Sequence, residues 1–333
     1  MCMKNYWLTL SFIICLASCN SHSPHWEAIS QVESYIEERP DSALVVLEQI
    51  VPSELSSIEE KAKYSLLYSM ALDKNFVDKT DFEVLQPAID YYKDNGSATD
   101  KLRTYYYQGR IYQNAGNDAA AMECFVNAIY NGKESNDILT KARTYFAQSH
   151  IYYSLYEWDN FIEANKNSAL LFKESGMINS YANCLNRIIN GYTLKEEPNS
   201  AWPYIYECKT LLQDMSISRL TEFYASYLTY LTNFGTEQEM NEILQEYISA
   251  VPSYMIDRLT IANAYLKMNN YNEALSVLSE YDTSSDVAKE RKYLSIISDI
   301  YQGLEDHKRA LESYKKYIIL ADSIDSAIYT QDT

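Results

Sequence analysis

A spaced pattern of aromatic and small residues recurs along this chain and limits its fold more than any other feature of the sequence. The clearest copy has two halves separated by a short turn at Asn114-Ala115-Gly116-Asn117. Its pattern residues are Tyr105, Gly109, Tyr112, Ala121, Phe125 and Ala128. Spacings of three, four and seven residues place side chains on one face of a helix. Each copy therefore predicts two helices that pack closely on each other, because the small residues allow close approach and the aromatic residues fill the remaining space.

Further copies of this pattern follow one another along the chain. Two strong copies contain Ala262, Tyr265, Ala274, Leu278 and Tyr281, and Ser298, Tyr301, Ala310, Tyr314 and Tyr317. Weaker copies lie at 145–168, 185–208 and 228–247. Their starts step by about 34 to 40 residues, a period typical of repeated helical hairpins. The pattern resembles the tetratricopeptide repeat (TPR), and this resemblance implies an all-α, TPR-type α-solenoid, a right-handed superhelix of antiparallel helix pairs.

The repeats also set the predicted domain boundaries. Upstream of the clear copies, two helical segments meet at Arg39-Pro40-Asp41, where proline prevents one continuous helix. We expect about eight helix pairs over residues 26–320. A short tail is predicted at 321–333, a signal peptide at 1–18 and a tether at 19–25.

The composition excludes several classes of function. The chain has 8 glycine, 7 proline and 32 tyrosine residues, so Gly-rich phosphate loops and tight-turn β architectures lack the residues that they need. The formal net charge of −18 argues against nucleic acid as a partner, because phosphate binding needs clustered Lys and Arg. Cys124, Cys184 and Cys208 stand alone in apolar helical segments, so we predict buried thiols and no disulfide or zinc site.

The N-terminus has the form of a lipoprotein signal peptide. Lys4 precedes an apolar stretch of about ten residues, which is too short to cross a bilayer. The following Leu16-Ala17-Ser18-Cys19 resembles a lipobox, which implies that Cys19 is lipidated and becomes the mature N-terminus. The alternative is a secretory peptide that happens to carry a cysteine at its cleavage site. Each CH₂ group of a buried acyl chain contributes ~0.8 kcal/mol, so a two- or three-chain lipid would hold the protein, for instance through palmitate, on a membrane without a spanning helix.

The residue after Cys19 bears on localisation. Asn20 is similar to the second mature residue of lipoproteins that move to the outer membrane, and no acidic surface-export signal follows. The chain thus resembles a TPR lipoprotein of Gram-negative bacteria. We expect it to be lipid-anchored in the cell envelope, at the outer membrane and facing the periplasm.

No residues combine into a recognisable catalytic or metal site. His22 and His25 lie in the tether, His307 lies in a turn, and His150 lies on a helix. The pair in the tether has no third ligand, whereas zinc sites use three or four. The sequence contains no Gly-x-Ser-x-Gly, Walker or dinucleotide motif. We therefore predict a protein that is not an enzyme and needs no metal or cofactor.

In a TPR array, the first helices of the repeats form a concave groove that offers an extended binding surface. Helical spacing places basic, aromatic and amide side chains on that face. The predicted ligand-binding residues are Arg103, Tyr106, Arg110, Arg143, Phe146, His150, Tyr153, Asn186, Arg187 and Asn190. Guanidinium groups pair with carboxylates and tyrosine offers flat apolar area, so the predicted partner is an extended acidic peptide or protein segment. Alternatively, the arginines serve the chain's own acids, such as Asp100, Asp118 and Glu123, on a solvated face.

Three functions fit these observations. The first is a non-catalytic scaffold on the membrane that holds a partner segment in the groove, because solenoids expose extended surfaces. The second is an envelope sensor or regulator without an output module, since residues 310–317 and 322–324 resemble the last repeat of TPR signalling and regulatory proteins. The third is a glycan-handling lipoprotein. It is favoured least, because the four tryptophans are dispersed.

Overall fold

The computed structural model describes residues 23–279, 281–282 and 286–331, with side chains described up to residue 322. The predicted signal peptide, Cys19 and His22 lie outside these residues. Within the described ranges the chain forms sixteen α-helices and two short 3-10 helices, and it forms no β-strand. This confirms the all-α fold class that the repeats predict.

The helices divide into two compact units that meet in sequence between Leu155 and Tyr156. The first unit contains α1 (Trp26–Tyr35), α2 (Pro40–Glu48), α3 (Ile58–Lys74), α4 (Gln86–Asn95), α5 (Ala98–Asn114), α6 (Asp118–Asn131) and α7 (Ile138–Ser154). The second contains α8 (Trp158–Glu174), α9 (Ile178–Leu194), α10 (Pro198–Thr210), α11 (Ile217–Phe234), α12 (Glu237–Ala250), α13 (Arg258–Lys267), α14 (Tyr271–Leu278), α15 (Val287–Gly303) and α16 (His307–Gln331).

Each unit is built from helical hairpins that stack in chain order. In the first unit α3 packs on α4 and α5, and α5 packs on α6 and α7. In the second unit α9, α11, α13 and α15 each pack on the helix that follows, and consecutive members of this set also pack on one another. The first helix of each hairpin thus contacts both its own second helix and the first helix of the next hairpin. This packing is typical of TPR hairpins.

The small-residue positions of the pattern are the points of closest approach. Gly109 of α5 lies against the buried ring of Phe125 in α6, and a Cβ atom at residue 109 would be 2.5 Å from Phe125 Cε1. That distance is shorter than any van der Waals contact, so a larger residue would push the two helices apart. The glycine and the phenylalanine of the pattern therefore specify one interface together.

Four turns between consecutive helices contain a residue in the left-handed region of backbone conformation. Phe76 and Gly116 of the first unit have φ values of 60° and 76°, and Tyr156 and Glu196 of the second both have φ of 58°. These four positions are spaced 40 residues apart along the chain. Glycine reaches this left-handed region without strain, whereas an ordinary residue does so at a cost of about 1–2 kcal/mol. The Phe76 side chain is nevertheless 91% exposed, so no packing of its ring offsets that cost.

Two segments at the ends of the fold differ from the sequence-based expectation. Helix α16 continues to Gln331 through most of the predicted tail, because no glycine or proline follows Gly303 to end it. At the other end, Ser23 and His25 of the predicted tether contact the folded body. The Nε2 atom of His25 is 2.9 Å from Glu54 Oε2.

Ser23 is held by Glu60, a carboxylate that is buried at the start of α3. Glu60 accepts hydrogen bonds from the hydroxyl and the N–H of Ser23, and also from the N–H and hydroxyl of Ser56, both at 2.9 Å. Burial alone would raise the pKa of Glu60, but these hydrogen bonds outweigh it and lower the pKa to about 2. The interaction links residues 37 apart in sequence, which is why the local sequence pattern did not predict it.

Candidate functional site: a charged face in the first unit

The predicted arginines of the first unit belong to a cluster of ion pairs that we call the charged face. It lies where α3, α5 and α7 approach α1 and the turn that follows α1. Its members are Lys63, Asp73 and Lys74 of α3, Arg103 and Arg110 of α5, Asp137 and Arg143 at the start of α7, Glu33 of α1, and Glu37 of the turn.

Glu37 is the most strongly held carboxylate of the charged face. Both of its oxygens accept hydrogen bonds from Arg143, at 3.0 Å from Nη1 and 2.7 Å from Nη2. Lys74 Nζ donates a third hydrogen bond at 2.8 Å. Burial alone would raise the pKa of Glu37, but the hydrogen bonds and charge of Arg143, helped by Lys74, lower it to about 2. Glu37 is therefore ionised at any physiological pH.

The two cations that hold Glu37 are not equivalent. Burial and the nearby charge of Arg143 lower the pKa of Lys74, and its attraction to Glu37 offsets this only in part. The pKa of Arg143 moves upward, because the hydrogen bonds and charge of Glu37 outweigh the effect of burial. Arg143 is thus the principal partner of Glu37, as the planar fork of a guanidinium fits both carboxylate oxygens.

Glu33 makes a second bridge from α1. Its carboxylate is 2.8 Å from Lys63 Nζ of α3 and 2.9 Å from Arg103 Nη1 of α5. Arg103 also donates from Nε to Asp137, at 2.6 Å, and Asp137 in turn caps α7 by accepting the N–H of Thr140 at 3.0 Å. Arg103 therefore connects the N-terminal helix to the start of α7.

Arg110 completes the cluster at the other end of α5. Its Nε donates to Asp73 Oδ1 at 3.0 Å, and its Nη1 donates to the side-chain oxygen of Gln113 at 2.6 Å. Burial would lower the pKa of Arg110, but the charge of Asp73 raises it. Each of the three predicted arginines of this unit is thus satisfied by a carboxylate of its own chain.

The acids that bind these arginines are not the ones that the sequence suggested. Asp100 accepts hydrogen bonds from Ser97 and caps α5, while the arginines use Glu33, Glu37, Asp73 and Asp137. Sequence reasoning missed Glu33 and Glu37, although their spacing of four residues was visible. Their arginine partners lie 70 and 106 residues away, and no local pattern relates such positions.

The predicted aromatic residues separate into buried and exposed groups. Tyr106 is buried, with its ring centre 6.1 Å from that of Phe125, so it belongs to the core. In the C-terminal half of α7, Phe146 meets His150 edge to face at a centroid distance of 4.9 Å. His150 is exposed, and Tyr153 is 49% exposed. The exposed part of the predicted binding surface in this unit is therefore aromatic.

The other predicted residues lie on α9 in the second unit. Asn186 is buried, and its Oδ1 is 3.7 Å from the Sγ of Cys208. The guanidinium of Arg187 lies over the ring of Phe161, 4.9 Å from its centre, and Asn190 is half-buried. Asn186 thus contributes to the core of this unit, while Arg187 stacks on an aromatic ring.

A polar cavity of about 230 Å³ adjoins the Glu33 end of the charged face. Trp26, Glu33, Glu59, Lys63, Tyr92 and Arg103 are among the residues that line it. Because Lys63 and Arg103 already bind Glu33, the charges on its wall are largely paired within the chain.

The described residues show no metal site, no membrane-spanning helix and no activated thiol at Cys124 or Cys184. They contain no group of three or more His, Cys, Asp or Glu side chains that could hold a metal ion. None of their helices combines the length and the apolar character that a bilayer crossing requires. Burial raises the pKa of the Cys124 and Cys184 thiols to about 11, which makes both thiols poor nucleophiles.

Two solved structures resemble this chain in fold. One is a Rap protein complexed with competence and sporulation factor, which is 12% identical and has a TM-score of 0.53 over 90% of this chain and 97% of that chain. The other is the apo form of RapI, which is 13% identical and has a TM-score of 0.64 over 90% of this chain and 98% of that chain. No protein-family model and no curated protein matches the chain. At these identities the likeness supports the fold alone.

Proposed function

We propose that this protein is a lipid-anchored, non-catalytic scaffold that binds a protein segment across the first-helix face of its first unit. The observation that carries this proposal is the exposed aromatic surface of α7, where His150 and the 49% exposed Tyr153 follow Arg143 along the same helix. Helical hairpins stacked in this way expose extended surfaces. A structure of similar fold was solved as a complex with a factor, which is consistent with a binding role.

The partner segment is proposed to gain most of its affinity from the aromatic rings. An acidic side chain of the partner has to compete with Glu37 for Arg143, and exchanging one carboxylate for another brings little net free energy. Flat rings such as Tyr153 contribute apolar area at a low entropic cost. The arginines then orient an acidic segment, and the rings retain it.

Photocrosslinking in intact cells tests this proposal. A benzophenone amino acid at Tyr153 should form an adduct with one partner, whereas the same substitution at Tyr130, an exposed tyrosine on α6, should not. Identical adducts from both positions, or none from Tyr153, would show that this face binds no partner. An Arg143→Ala variant is a poor substitute, because it leaves Glu37 without its main counter-charge and weakens the fold.

Membrane attachment is proposed to depend on Cys19. The motif Leu16-Ala17-Ser18-Cys19 supports this, and Ser23 begins the described body only four residues later. Metabolic labelling with an alkyne fatty acid should tag the chain and should fail for Cys19→Ala. The matched control is Cys15→Ala, which lies in the same apolar stretch and should label normally. Equal labelling of both variants would refute the assignment.

A regulatory role is the second candidate, and the resemblance of residues 310–317 and 322–324 to the last repeat of TPR signalling and regulatory proteins supports it. In that case the partner crosslinked at Tyr153 is a regulator, and loss of the protein changes transcription. A scaffold of envelope assembly predicts instead a structural envelope partner and unchanged transcription.

A further inference from the structure

The second unit carries an exposed aromatic surface that the proposed function does not use. We call it the aromatic ledge: Trp202 and Tyr206 of α10 and Tyr227 and Tyr230 of α11. Trp202 is 48% exposed and Tyr206 is 65% exposed, one helical turn apart on the same side of α10. The centre of the Trp202 ring lies 6.4 Å from that of Tyr227 and 6.5 Å from that of Tyr230. The half-exposed Trp202 ring thus packs on two buried tyrosine rings.

Two polar atoms of the ledge make no hydrogen bond to the described residues. Tyr227 is only 5% exposed, yet its hydroxyl makes no hydrogen bond with any described residue, and neither does the indole N–H of Trp202. Tyr230, by contrast, donates its hydroxyl to the carbonyl of Pro198 at 3.4 Å. The Tyr227 hydroxyl and the Trp202 N–H can therefore form hydrogen bonds with a bound partner.

The charge around the ledge is mainly negative. Helix α12 brings Glu239, Glu242 and Glu246 close enough to act on Tyr227, and burial together with these carboxylates raises the pKa of Tyr227 to about 12. Glu239 caps its own helix, but Glu246 makes no hydrogen bond or ion pair with any described residue. One cation faces this group, because Lys209 Nζ lies 5.1 Å from the centre of the Tyr227 ring.

We infer that the aromatic ledge is a second interaction site and that it binds a basic protein segment through arginine or lysine side chains. The faces of tryptophan and tyrosine rings attract cations, and Lys209 already occupies one such ring. The uncommitted carboxylate of Glu246 supplies a counter-charge. This site lies in the other unit from the charged face and is independent of the function proposed for that face.

Calorimetric titration of the purified full chain tests the inference. The probe is acetyl-(Gly-Arg)₃-amide, and its control replaces each arginine by citrulline, which has the same shape without the charge. The arginine peptide should bind and the citrulline peptide should not. Binding should weaken strongly between 0.05 and 1 M NaCl, because the screening length falls to about 3 Å at 1 M salt. Equal binding of the two peptides would overturn the inference.

Two substitutions locate the site. Trp202→Leu keeps an apolar cover over Tyr227 but removes the ring, and Glu246→Gln removes an exposed charge that the fold does not use. Each should weaken binding about threefold and the two together about tenfold. Glu123→Gln is the matched control and should change nothing, because Glu123 is an exposed acid on α6 that makes no hydrogen bond or ion pair with the described residues.

Two outcomes would overturn the inference in different ways. If the Glu123 variant weakens the arginine peptide as much as the Glu246 variant does, the peptide binds to the general negative charge of the chain. If neutral oligosaccharides bind with dependence on Trp202 and none on Glu246, the ledge is a glycan site. Far-UV circular dichroism and melting of each variant confirm that the fold is intact.

Discussion

Replacing Glu37 by glutamine tests whether the charged face stabilises the first unit. The variant keeps the size of the side chain and removes the charge that Arg143 and Lys74 bind. An unperturbed glutamate carboxyl has a pKa of 4.5, whereas the pKa of Glu37 in the folded chain is about 2. A shift of that size corresponds to about 3 kcal/mol of folding free energy at neutral pH.

A second argument leads to a similar magnitude. The side chains of Arg143 and Lys74 are only 24% and 10% exposed, so the variant leaves two sheltered cations without their shared counter-charge. Removing one member of a buried ion pair typically costs about 3–5 kcal/mol. We therefore expect Glu37→Gln to lower the free energy of unfolding by about 3 kcal/mol at pH 7.

The effect should depend on pH in one direction. Because the folded pKa of Glu37 is lower than the unfolded pKa, its charge stabilises the fold fully above pH 4.5, and this contribution is lost as the pH falls towards 2. Wild type and variant should consequently converge as the solution is acidified. At pH 3 the difference should be less than half of its value at pH 7.

Urea unfolding at pH 7 and pH 3 measures this difference. The control is Glu38→Gln, which changes the next residue, an exposed acid that makes no ion pair with the described residues, and should have almost no effect. A loss for Glu37→Gln below about 0.5 kcal/mol, or one that is equal at both pH values, would refute the reasoning. The first result would mean that the pair behaves as a solvated surface pair, and the second that the loss comes from packing and not from charge.

Three further substitutions give distinct expected results. Glu60→Gln should lower the free energy of unfolding by about 2 kcal/mol and speed hydrogen exchange at the Ser23 amide, since the amide has one acceptor oxygen where the carboxylate has two; unchanged exchange would mean that Ser23 is held by other contacts. Phe76→Asn should raise thermal stability by about 0.5–1 kcal/mol, because asparagine tolerates the left-handed conformation of this exposed turn position; a lower melting temperature would contradict the assigned strain. Gly109→Ala should cost about 1–3 kcal/mol in urea unfolding through its contact with Phe125, and an unaffected variant would show that α5 and α6 separate easily.

The fold class followed from contacts that are local in sequence. Gly109 and Phe125 are sixteen residues apart, so one copy of the pattern contains both sides of the interface that it predicts. The turn at Gly116 was visible for the same reason, since glycine favours the required φ. The equivalent turns at Phe76 and Tyr156 were not, because the surrounding hairpin imposes a conformation that these residues do not prefer.

The candidate site was predictable only in part. Helical spacing placed Arg103 and Arg143 on first helices, and the structure brings both to acids in or next to α1. Their role in binding a partner stays a prediction. The same spacing grouped Tyr106 with them, but this side chain turns towards Phe125 and is buried, because small angular differences around a helix decide between core and surface. Which acids satisfy the arginines depends on tertiary packing, which a single sequence does not display.

If the protein is lipid-anchored as proposed, the hydrogen bonds of Glu60 would also limit how far the body can move from the membrane. On the lipid-anchor proposal, the four peptide steps between Cys19 and Ser23 span at most about 14 Å, even when fully stretched. Helix α3, with 17 residues, is about 25 Å long. The segment between Cys19 and Ser23 is thus shorter than helix α3 of the body that it would anchor. The first unit would therefore diffuse laterally next to the lipid headgroups and would not extend far from the membrane. Partners anchored in the same leaflet would then meet it at a high local concentration.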